Sequence, residues 1–110
     1  MRSYLIDEIP RSHMEKITGF LKENAITSNL DQVFWVQIPD DIRSEIQAQH
    51  RNCHPHVFAL ELGPDWIKLE FFVRSLKTMQ CTCPDYCNKP QRDYIINFAH
   101  EMIKQLGITT

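Results

Sequence analysis

Glycine is scarce in this chain, with three residues among 110, and none is near another. A phosphate-cradling Gly-rich loop is therefore excluded, and nucleotide binding of that kind with it. Long apolar runs are also missing. The longest mainly apolar stretches are far too short to span a bilayer, and the opening "MRSYLIDEIPRS" carries acids and a proline where a signal peptide needs an apolar run. The reading is of a cytoplasmic protein with no membrane partner. Repeats and low-complexity tracts are absent, and the proline-bearing breaks are short, so residues 1–110 are expected to form one domain. The twelve Lys and Arg are scattered, and formal net charge is -2, which gives no strong nucleic-acid footprint. No third group accompanies the acid pairs Asp7-Glu8 or Asp40-Asp41, which read as caps and solvated faces, so no catalytic residue is assigned.

What remains is ordinary globular composition, 43% hydrophobic and 24% charged, arranged in clear periodic segments. Ser12-His13-Met14-Glu15 fits a capping box, and Met14, Ile17 and Leu21 follow at helical spacing towards Asn24. "VFWVQI", Val33 to Ile38, is β-branched and aromatic and stops at Pro39, as a strand does. Asp40 or Asp41 can cap a short second helix carrying Ile42 and Ile46. Two alternating segments then flank Gly63-Pro64-Asp65 and predict a hairpin. The register that pairs Leu62 with Ile67 also pairs Leu60 with Leu69, Phe58 with Phe71 and His56 with Val73, and sets Glu61 against Lys68. Trp66 and Phe72 fall on the opposite face with Val57 and Ala59, and that face needs a helix or a partner to cover it. Ile95, Phe98, Ala99, Met102, Ile103 and Leu106 form the stripe of a last helix, capped by Asn88 with Gln91 and ended by Gly107. The fold class predicted is α+β: two layers, a three-stranded mostly antiparallel sheet with a β-hairpin, and a C-terminal helix packed on one face.

The four cysteines carry the functional signal. Cys81, Cys83 and Cys87 lie within seven residues, and in the predicted register Cys53 stands opposite Leu76, so all four are expected at one end of the sheet beside the last helix. Clustered thiols in a reducing compartment are more often metal ligands or redox groups than disulfides. Four sulfurs are the usual set of a closed tetrahedral zinc site. Cys87 precedes a helix N-terminus, and Arg51, Arg74, Lys77, Lys89 and Arg92 flank the cluster, so ionised thiolates are expected to be favoured. Zn2+ is thus the cofactor expected at Cys53, Cys81, Cys83 and Cys87, with His54 or His56 as substitutes for Cys53. An iron–sulfur cluster is the alternative, although these spacings match neither common ferredoxin run.

"CTCPDYC", Cys81 to Cys87, preceded by a strand pair and followed by a helix, resembles the core of a SWIM-type zinc finger. That family reads C-x-C, a spacer, then C-x-H; here Lys89 stands at the histidine position, so Cys81, Cys83 and Cys87 carry over and the fourth ligand comes from Cys53. The resemblance implies a structural zinc and a module that binds nucleic acid or protein. The expected function is accordingly a non-enzymatic binding or adaptor module with a structural zinc. A protein is the first partner expected and nucleic acid the second. A redox protein with an iron–sulfur cluster or reactive thiols is the alternative, and a three-ligand hydrolytic zinc enzyme ranks third.

Overall fold

The computed structural model describes residues 2–28, 30, 32–49, 55–76 and 85–108. The elements run β1 (Ser3–Ile6), α1 (Arg11–Asn24), β2 (Ile26–Thr27), β3 (Val33–Gln37), a 3-10 turn (Asp40–Ile42), α2 (Glu45–Gln49), β4 (His56–Leu62), β5 (Ile67–Glu70), β6 (Phe72–Ser75), β7 (Asp85–Tyr86) and α3 (Lys89–Gln105). The α+β class is as expected, but among the described residues the sheet has seven strands rather than three. Five lie in the order β1-β5-β4-β3-β2, while β6 pairs with β4 and β7. All the pairings are antiparallel. Among the described residues no helix is long and apolar enough to cross a membrane.

Alternation assigns each strand a buried side. Phe34 and Val36 sit opposite Leu60 and Phe58, and Tyr4 and Ile6 opposite Leu69 and Ile67, so these side chains share one face. Met14, Ile17 and Leu21 of α1 and Ile95, Ala99, Met102 and Ile103 of α3 join the same core. Phe98 of α3 meets Phe58 edge-on at 5.8 Å and Phe20 of α1 at 6.5 Å, so both long helices cover this one face. The other face of the sheet carries Trp35, Ala59, Phe72 and Arg74, with Leu5 and Tyr86 exposed at its edge.

The hairpin keeps its expected register only at the turn end. Leu62 pairs with Ile67, Glu61 with Lys68 and Leu60 with Leu69, but His56 then pairs with Ser75 rather than Val73. Phe58 and Ala59 lie between the two sets of pairs on β4, against Glu70, Phe71, Phe72 and Val73 on the other strand, which therefore holds two extra residues. An even offset keeps every side chain on its face, so Leu69, Phe71 and Val73 all remain buried. The bulge is held from the edge: the Phe71 N–H donates to the Arg2 carbonyl at 2.9 Å, and its carbonyl accepts from the Cys87 N–H at 3.1 Å.

Two helix starts differ from expectation. α1 begins at Arg11 with Pro10 as N-cap and no side-chain cap, so the Ser12 box does not form. The entry is fixed instead by buried Ile9, whose N–H donates to the Asp65 carbonyl at 2.9 Å. Asp40 and Asp41 belong to the 3-10 turn, and α2 is capped by Ser44.

Candidate functional site

α3 starts at a capping box: the Gln91 N–H donates to Asn88 Oδ1 at 3.0 Å and the Asn88 N–H to Gln91 Oε1 at 3.2 Å. α2 starts the same way, with the Gln47 N–H on Ser44 Oγ at 3.3 Å and the Ser44 N–H on Gln47 Oε1 at 3.0 Å. The two boxes interlock, because Gln91 Nε2 donates to Gln47 Oε1 at 2.8 Å and both glutamines are buried. The start of α2 is thereby held against the start of α3. Cys87 sits one residue before the Asn88 cap, half-buried and packed on the core, with its N–H tied to the bulge.

Burial dominates the chemistry of this thiol. Desolvation pushes Cys87 up to about 11, against the pull of the Arg92 cation and with a smaller push from the Glu70 carboxylate. Arg92 thus pulls Cys87 towards the thiolate as expected, but burial outweighs that pull in the metal-free protein. The thiol is a better proton holder than an exposed cysteine, and a metal at this position has to displace that proton.

Of the other candidate ligands, Cys53, Cys81, Cys83 and His54 lie outside the described residues. His56 is described, paired with Ser75 on the helix-covered face and 1% exposed, as a core residue would be. The register on which Cys53 stood opposite Leu76 does not hold, because the Leu76 N–H bonds to the Pro55 carbonyl at 3.2 Å. Cys87 is level with Phe71, five residues of strand from Leu76, or about 16 Å. Among the described residues no three His, Cys, Asp or Glu groups come together to hold a metal.

Among the described residues no helix packs on the other face of the sheet, and this helix-free face holds groups that lie far apart in sequence. The Arg74 guanidinium lies 5.4 Å from the centroid of Trp35 and 5.1 Å from that of Phe72, and is ion-paired with Glu70. Phe72 meets Tyr86 edge-on at 5.1 Å, and Arg2 lies 4.7 Å above the Tyr86 ring while donating to its hydroxyl at 2.8 Å. The result is a continuous row: Trp35, Arg74, Phe72, Tyr86, Arg2. Two adjoining clefts of about 410 and 300 Å³ open along it and share Lys68, Glu70 and Arg74. The alternation of β6 already put Phe72 and Arg74 on one face. Trp35 and Tyr86 join them only through the pairings of β3 and β7. A larger cleft of about 670 Å³ lies at the β1 edge, where the Tyr4 hydroxyl and His100 Nε2 are 2.7 Å apart. Among the described residues the Tyr4 hydroxyl is the hydrogen-bond partner of that imidazole.

No family model, curated protein or solved structure matches the chain. The likeness to a SWIM-type finger therefore rests on the Cys81–Cys87 segment alone.

Proposed function

We propose that the chain is a small non-enzymatic binding module, stapled by a structural zinc ion at Cys53, Cys81, Cys83 and Cys87, that recognises its partner on the helix-free face of the sheet. The observation carrying this reading is the division of labour in the fold: both long helices cover one face, and the other is left with a row of aromatic rings and arginines.

The sequence supports zinc at the cysteines: Cys81, Cys83 and Cys87 lie within seven residues, and Cys53 completes the four sulfurs of a closed tetrahedral set. A half-buried thiol suits a closed structural site better than an open catalytic one.

Elemental analysis with a visible spectrum, on protein purified anaerobically without added metal, tests the proposal. About one zinc per chain and no visible band is the expected result. Iron with sulfide bands would replace the reading by a redox protein, and no metal would remove the staple. Cys53→Ser separates the ligand sets, since it abolishes a four-cysteine site and spares one completed by His54.

A further inference from the structure

The helix-free face sets aromatic rings beside cations. Tyr86 is 52% exposed, and with Phe72 it forms one wall of the 410 Å³ cleft. Arg2, Lys68 and Arg74 line the same cleft, where Glu70 is the only carboxylate among the described residues. Lys68 is paired with Glu61 at 3.3 Å and Arg74 with Glu70, but both pairs are half in water. Exposed pairs of this kind are weak and exchange readily for another anion. The Arg2 side chain has no carboxylate among the described residues; its guanidinium lies over the Tyr86 ring and gives one N–H to the hydroxyl.

A ligand matching this surface needs flat π-faces at intervals with anionic groups between them. We infer that the face binds single-stranded nucleic acid, with bases laid against Trp35, Phe72 and Tyr86 and phosphates met by Arg2, Lys68 and Arg74. The inference rests on the reading of the chain as a binding module and names the partner of that face. An extended acidic peptide would satisfy the three cations but leave the row of rings without a counterpart. Duplex would present its phosphates and hide its base faces. The rings therefore select the single strand over both.

The net charge of -2 rules out long-range steering, so contact is local. Affinity is accordingly modest, with Kd of the order of 10 µM at about 50 mM salt. Three phosphate contacts on a single strand give a slope of log K against log salt of about -2.

Fluorescence anisotropy with a labelled oligothymidylate of about fifteen nucleotides, titrated with the full chain, tests this. Saturable binding with that salt slope is expected, weakened about tenfold by Tyr86→Ala and by Arg74→Gln. Lys22→Gln, an exposed charge removed from the helical side, should leave it unchanged. If Arg74→Gln loses its circular dichroism spectrum, the exposed Tyr86→Ala and Arg2→Gln decide. Flat anisotropy to about 100 µM overturns the inference. So does equal binding of duplex, displacement by oligoglutamate at matched charge, or affinity unchanged by the face variants. Zinc content is measured on the same preparation: failure to bind with one zinc present overturns this inference alone, and binding without zinc overturns only the staple.

Discussion

At Gly63 the turn between β4 and β5 has no room for a side chain, because a Cβ there would lie 2.0 Å from Trp66 Cε2. Gly63→Ala must push the indole off the turn. We expect a loss of about 1–3 kcal/mol in urea denaturation, with a shift in tryptophan emission that reports the displaced ring. The turn was legible from Gly63-Pro64-Asp65, whereas the indole over it was not, since that contact depends on how the loop folds back. The Glu61–Lys68 pair was legible for the opposite reason, being fixed by the nearest register of a tight hairpin. Cys87 carries a prediction in pH. Its folded thiol is held up at about 11, above the ordinary value of 9.0, so folding favours the protonated form. Its contribution to stability is therefore present below about 9 and is lost as pH rises through about 11. With a chelator present, the stability difference between the wild type and Cys87→Ser should narrow across that window. Alkylation of Cys87 near neutral pH should also be slower than for an exposed thiol.

Among the elements, α3 was the most legible. Its stripe, its Asn88–Gln91 box and its glycine stop are all local signals, and the stop is a Schellman motif: the Gly107 N–H bonds to the Lys104 carbonyl and the Ile108 N–H to that of Ile103. Gly107 has φ of 70°, so Gly107→Ala should cost about 1 kcal/mol, measured by thermal denaturation. The Ser12 box looked as good in sequence but lost to Pro10 and the buried Ile9, an outcome decided by the distant Asp65 carbonyl. The hairpin register likewise followed the alternation until the edge strands engaged Phe71. The link between the two capping boxes spans 44 residues and leaves no local trace. Gln91→Ala removes both the donor to Gln47 Oε1 and the acceptor of the Asn88 N–H, and should destabilise by about 1–3 kcal/mol. A double-mutant cycle with Gln47→Ala should return a coupling of about 0.5 kcal/mol or more. Strict additivity would mean that the two helix starts are held by other contacts.

For the whole molecule, the class and the helix-covered face were legible in sequence, but the size of the sheet was not. β2 and β7 are two residues each and β1 is four, too short to establish an alternation. The row of rings and arginines was missed with them, since Tyr86 sits on β7 and Arg2 borders β1. Zinc removal is a prediction at this scale: a strong chelator should lower the midpoint of thermal unfolding by several degrees or more, and added zinc should restore it. The joint at Phe71 bears on how copies of the chain behave towards one another. β1 and β7 lie end to end along β5 and β6, meeting where Phe71 bonds to both Arg2 and Cys87. A row of unpaired backbone groups at a sheet margin is a template for growth into fibres, and here it is broken into a four-residue piece and a two-residue piece set at a bulge. The Ser3–Ile6 strand thus covers the backbone edge of β5. A chain lacking residues 1–6 would bare the alternating Ile67–Glu70 strand, and light scattering should show it aggregating where the intact protein does not.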